Sequence, residues 1–152
     1  MTRKLLLTSL GIAVALALMA IAPSANAGQV NEATQMTFNQ PVQVPGNIAL
    51  PAGTYWFVMS NDPATHNFVR IYGAHRTHLI TIVDVLPTLR AKPTNRTELT
   101  FAEQSRSRPI ALLDWFYPGR LTGQEFVYST HLQRRLTEND QITLLVRNTP
   151  QA

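Results

Sequence analysis

The chain of 152 residues contains no cysteine. That absence rules out disulfides and thiol redox chemistry, and it means that the core holds without covalent staples even in an oxidising compartment. It also removes any thiol for lipid attachment after the N-terminal apolar run. No twin arginine precedes that run, which points to a general secretion route. Lysine is nearly missing, with Lys4 and Lys92 as its two occurrences. The arginines at 70, 76, 90, 96, 106, 108, 120, 134, 135 and 147 are scattered. A nucleic-acid surface would show a concentrated basic stripe, so nucleic acid is not an expected partner. There is no G-x-S-x-G and no phosphate-cradling glycine loop, which takes away the usual serine-hydrolase and nucleotide signatures. Neither an internal repeat nor a low-complexity linker divides the chain.

What is present begins with MTRKLLLTSLGIAVALALMAIAPSANA. Arg3 and Lys4 precede an apolar run from Leu5 to Ala22, followed by Pro23 and Ala25-Asn26-Ala27. This is the layout of a secretory signal peptide over residues 1–27, cleaved after Ala27. Pro23 breaks a helix where a retained anchor would need to continue, so no membrane span is expected after cleavage. Without Arg3 and Lys4, eleven basic residues face nine acidic ones, a formal charge of about +2. Residues 28–152 are the length of one ordinary domain with a single core.

Most of that domain reads as short strands separated by turn chemistry. Thr34 to Phe38, Val42 to Val44 and Ile48 to Leu50 are β-prone. The VPGN between the last two places Pro45 and Gly46 as a type II turn requires. LPAGT fits a type I turn with a bulge at Gly53, and Tyr55 to Met59 follows as strand. Phe68 to Tyr72 and His78 to Val85, joined by GAHRT, form the clearest hairpin. On its second strand Ile80, Ile82 and Leu86 share one face and Leu79, Val83 and Val85 the other, the pattern of an inner strand. LPTLRAKPTN is expected to cross over to a strand at Glu98 to Glu103. IALLDWF is compatible with a helical turn or a strand. YPGR repeats the type II logic, and Gln124 to Tyr128 is a further strand. STHLQRRLTEND has a capping Ser129 or Thr130, Leu132 and Leu136 four apart and basic residues late, as a short helix does. QITLLVRNTPQA is an edge strand or a tail. The fold class expected is all-β: an antiparallel β-sandwich, or a small open barrel, over 28–128, with a C-terminal helix and tail over 129–152.

Candidate chemistry is sparse. His75 and His78 form H-x-x-H, but side chains three apart on a strand face opposite ways, so no metal site is expected. Asp62, Asp84, Glu103, Asp114 and Glu125 are the acids available for general acid-base work, and nothing in their spacing brings two across a cleft. Asp84 lies in an apolar strand and should pair with Arg90 or Arg70. The aromatics are the stronger lead. Consecutive strand residues cannot all point inward, so some of Tyr55, Trp56, Phe57, Trp115, Phe116 and Tyr117 should be exposed or lie under a loop. Trp56, Trp115 and Tyr117, with Arg120, are the candidate ligand-binding residues, an aromatic platform of the kind that holds sugar rings or peptides. Arg106, Arg108 and Arg120 on loops offer an alternative contact for an anionic envelope polymer or lipid headgroup.

The segments MTFNQPVQVPGNIALPAGTYWF, LRAKPTNRTELTFAE and ALLDWFYPGRLTGQEFVY resemble a family of secreted bacterial proteins without an assigned function. In that family a strand ends in vPG, LPAGTY follows and a WFYPG…GQEFVY segment closes the domain. The resemblance spans about residues 33 to 128. It implies an exported β-rich domain, a helix and variable tail after Tyr128, and no catalytic residues. In LLDWFYPGRLTGQEFVYS, Gly119, Gly123 and Pro118 read as turn hardware. Trp115, Tyr117, Phe126 and Tyr128 read as core or half-core, leaving Asp114, Arg120, Gln124 and Glu125 for anything else.

The function expected is therefore an exported, non-enzymatic domain, periplasmic or extracellular, that binds or packs against an envelope polysaccharide or protein and needs no cofactor. A glycan or small-ligand module built on the exposed aromatics is the second reading. The third is an acid-base hydrolase using Asp114 and Glu125.

Overall fold

The computed structural model describes residues 33–60 and 67–146. Residues 1–32, which include the expected signal peptide, residues 61–66, which include Asp62 and His66, and residues 147–152 lie outside the described residues. The strands are β1 (Ala33–Phe38), β2 (Val42–Val44), β3 (Ile48–Leu50), β4 (Gly53–Met59), β5 (Phe68–Gly73), β6 (Leu79–Leu89), β7 (Thr97–Ala102), β8 (Ile110–Phe116), β9 (Thr122–Phe126) and β10 (Gln141–Val146). A helix, α1 (Thr130–Glu138), separates β9 from β10. The fold is all-β, as the sequence predicts.

The ten strands form one open sheet in the order β1-β4-β5-β6-β9-β8-β2-β3, with β7 also pairing with β8 and carrying β10 beyond it. The long strand β6 joins the two halves. Phe68 of β5 pairs with Asp84 of β6, and from Val85 onward the partner is β9, through Phe126. The sheet is mixed rather than purely antiparallel, because β2 runs parallel to the start of β8. Its sites there are vacant because β9 pairs only with the far end of β8, from Asp114 to Phe116.

The sheet curls over a single aromatic core. Phe57 meets Phe38, Trp115 and Phe126 edge-on at 6.1 to 6.3 Å between ring centroids. Phe38 on β1 in turn meets Phe101 of β7 at 6.2 Å, bringing opposite regions of the sheet together. Each fully buried side chain of this size contributes on the order of 1.5–3 kcal/mol of transfer free energy, which a cysteine-free core must supply without staples. Helix α1 lies on the sheet through Leu136, which is fully buried, and Leu132, which is partly so. Gln133 ties its start down: its Oε1 accepts from Tyr128 N at 3.2 Å and its Nε2 donates to Glu125 at 2.9 Å.

Several segments differ from the sequence expectation. LPTL does not cross over, since β6 runs on through Pro87 to Leu89 paired with β9. Proline is tolerated there because β6 has by then parted from β5 and has one hydrogen-bonding neighbour. IALLDWF is a strand, held by β7, β9 and β2. The last hairpin strand ends at Phe126, and Tyr128 leaves the ladder so that its buried hydroxyl lies 3.0 Å from Gln43 O and 2.8 Å from Leu112 O. Gly46 and Gly119 take the positive φ that the two type II turns require. Gly53 has no positive φ and simply opens β4 opposite Phe38, so the expected bulge is absent. Gly123 is not turn hardware either. It sits within β9, where a Cβ would lie 2.3 Å from the Phe116 ring and 2.7 Å from Trp115 O. That ring occupies the space a side chain would need.

Candidate functional site

The segment 112–129 is a corner of the fold, and Arg90 explains why it is ordered. The Arg90 guanidinium donates to Arg120 O and Tyr117 O, both at 2.9 Å, to Thr94 Oγ1 at 3.0 Å and to Glu98 Oε2 at 3.2 Å. Its Cζ also stands 5.1 Å from the centroid of Phe116. One planar cation thus pins the turn between β8 and β9 to the end of β6 and the start of β7. Asp84 was expected to pair with Arg90 or Arg70. Asp84 is instead exposed on the sheet surface, where water solvates it, and among the described residues it forms no salt bridge.

The expected aromatic platform is divided by the sheet. Trp115 is 1% exposed and points into the core between Phe57 and Tyr117, so it offers nothing to a ligand. Tyr117 is half-buried and its hydroxyl donates to Ala33 O. Arg120 is exposed at the turn, its carbonyl taken by Arg90. Trp56 stays on the outer face of β4, with Nε1 donating to Ala74 O at 3.0 Å and Arg76 over its ring at 5.5 Å. Strand alternation accounts for the split: β4 sends Tyr55 and Phe57 inward and leaves Trp56 outside. His75 and His78 are both exposed near Arg76, and no group of three metal-ligating side chains occurs among the described residues.

Asp114 and Glu125 do come together, as directly opposed residues of β8 and β9. Burial, then the nearby Glu125, raises the Asp114 carboxyl to about 6, against a lowering hydrogen bond from Thr100. Glu125 lines a groove of about 420 Å³ between α1 and the sheet, with Leu86, Val127, Gln133 and Arg134 among its walls. Asp114 does not line that groove. A substrate held there meets one carboxyl of the pair, and acid-base hydrolysis needs both. Of the loop arginines, Arg108 lines a separate groove of about 330 Å³ with Arg135 and Glu138, whose carboxylate offsets part of the positive charge.

The feature that sequence reasoning missed is the outer face of β4, β5 and β6. An inner strand that is apolar on both sides should be covered on both sides. Here β6 is central in the sheet and Val83 and Val85 are buried, yet Ile82 is 51% and Leu86 52% exposed. A register shift between Ile71 and Tyr72 leaves Ile80 as an extra residue and places Leu79 opposite Tyr72. Leu79 is thereby exposed as well. Next to these lie Phe68, Arg70 and Tyr72 of β5, opposite Asp84, Ile82 and Leu79, and beyond Tyr72 stands Trp56. Arg70 lies over Phe68 at 5.3 Å, so each of the two arginines on this face is stacked on an aromatic ring. The result is a face of exposed aliphatic side chains, interrupted by Asp84, with a cationic, aromatic margin, and helix α1 borders it at Leu86. The signal was in the sequence, in the double-sided apolar pattern of residues 79–86, but periodicity alone does not say which side has a cover. No family model, no curated protein and no solved structure matches this chain.

Proposed function

We propose that this chain is an exported, non-enzymatic β-domain that docks a protein of the cell envelope or exterior on the outer face of β4–β6. The observation that carries the reading is the exposure of Leu79, Ile82 and Leu86, on either side of Asp84, on a strand central to the sheet. Large aliphatic side chains exposed together on one sheet face are characteristic of interaction sites, and the stacked Arg70 and Arg76 supply the aromatic and arginine character of interface anchors. Export rests on the layout of residues 1–27, and the destination is periplasmic or extracellular.

Aliphatic side chains favour a protein over a polysaccharide, because sugars are held by flat rings and hydrogen-bonding groups. The glycan reading keeps one specific support, the outward Trp56 beside Tyr72. Titrating the purified chain onto cell envelopes that lack it separates the two. Saturable binding that is destroyed by protease and weakened at least tenfold by Ile82→Glu supports docking to a protein. Binding that resists protease and is competed by oligosaccharide supports the glycan module. Equal binding by Ile82→Glu and the parent chain removes this face from the function.

A further inference from the structure

The sheet has a second unprotected feature, its β10 edge. Natural edge strands are blunted by shortness, charge, proline or a bulge, because half of their backbone N–H and C=O groups are left without a neighbour. β3 ends its side of the sheet with three residues, and β1 presents Gln35 and Thr37 between its apolar positions. β10 has none of these protections. Its six residues, Gln141-Ile-Thr-Leu-Leu-Val146, carry no charge, proline or glycine, and they pair in unbroken register with β7. Ile142, Leu144 and Leu145 remain 36–51% exposed, on both faces of the strand.

We infer that β10 is a homodimer edge, pairing antiparallel with β10 of a second copy across a two-fold axis so that the sheet runs through both molecules. Charge and register both favour a copy of the same strand. At the N-terminal end of β10 the acids Asp140, Glu103, whose N–H donates to the Asp140 carbonyl at 2.8 Å, and Glu138 outnumber Arg108 and Arg135, which share the groove of Glu138. At its other end Val146 pairs with Thr97, next to the exposed Arg96. An antiparallel copy brings each acidic end towards the other copy's Arg96.

The register is restricted by the pleat. Directly opposed residues in an antiparallel pair point to the same side of the sheet, and a two-fold axis perpendicular to the sheet keeps both inner faces together. Paired residue numbers must then share parity. The two central registers are Thr143 opposite Thr143 with Ile142 opposite Leu144, or Leu144 opposite Leu144 with Ile142 opposite Val146. Either one sets aliphatic against aliphatic on the inner face and brings no like charges together within the strand. Shifts by one residue, which would mix the faces, are excluded.

A cysteine-free chain makes the test direct. The chain is expressed from Met1, purified in the form the cell produces and measured by light scattering at tens of micromolar, alongside single variants Thr143→Cys, Leu144→Cys and, as a control on the opposite edge, Thr37→Cys. A dimer mass is expected, and one of the two β10 cysteines should form an intermolecular disulfide at least tenfold faster than Thr37→Cys, because facing residues in such a pair lie within disulfide reach. Thr143→Lys, at an exposed position, should give a folded monomer whose melting temperature, unlike that of the parent chain, does not depend on concentration. A monomer mass for the parent chain overturns the inference. So does cross-linking of both β10 cysteines at the Thr37→Cys rate.

Discussion

Arg90 and Glu98 form an ion pair at 3.2 Å, with their side chains 7% and 17% exposed. Removing one partner of a buried pair strands the other, at a cost of roughly 3–5 kcal/mol. Arg90→Met is therefore expected to lower stability by about that amount, measured by urea denaturation. Arg90→Lys should recover only a minor part, because a point charge cannot reach the four acceptors that the planar guanidinium serves.

Asp114 gives stability an unusual pH dependence. Its carboxyl titrates near 6 in the folded chain and near 3.8 when unfolded. Between those values the folded state holds the extra proton, so stability falls as pH rises through this window, and the full penalty is present above it. Asp114→Asn should consequently raise the melting temperature at pH 8 and lose that advantage at pH 4. Allowing for solvent screening of a half-buried group, the gain at pH 8 is on the order of 1 kcal/mol, or roughly 4 °C. Thermal unfolding of both proteins across pH 4–8 checks it.

Gly123→Ala is expected to be strongly destabilising although alanine suits a strand better than glycine. The added Cβ meets the Phe116 ring and the Trp115 carbonyl, and overpacking of this kind costs roughly 1–3 kcal/mol. The double variant Gly123→Ala/Phe116→Ala should show a positive coupling in chemical denaturation, since removing the ring removes the clash.

Tyr128 joins β2 to β8 through a hydroxyl that two carbonyls share. Tyr128→Phe keeps the packing and deletes the donor, which should cost about 1 kcal/mol in denaturation midpoint analysis. Burial also pushes the phenol well above its ordinary range. An ultraviolet titration should accordingly find one tyrosine that ionises only on unfolding.

How much of this was legible in the sequence varies by element. Short strands punctuated by proline and glycine turns can be read locally, and so β2, β3, both type II turns and α1 fall where their residues place them. Leu132 and Leu136 do face the sheet. What was not legible depends on a neighbour from elsewhere in the chain. Pro87 breaks the strand pattern by composition, yet β9 accepts it at an almost open edge. Glu98 rather than Asp84 takes Arg90 because the turn between β8 and β9 brings β7 within reach. Trp115 and Trp56 have much the same local sequence character, and only the direction of alternation sends one inward. The exposed row on β6 is the clearest case: both of its faces look buried until the sheet is seen to have a cover on one.

That row also offers the most direct measurement. A photo-reactive phenylalanine analogue placed at position 82 or 86 in the producing cell, with position 37 on β1 at the far margin of the same face as control, reports whether contact centres on β6. A discrete protein adduct of the same size from 82 and 86, missing at 37 and lost when Leu79→Glu is added, is expected if this face docks a protein. An equal yield from position 37, or no adduct from 82 and 86, contradicts it.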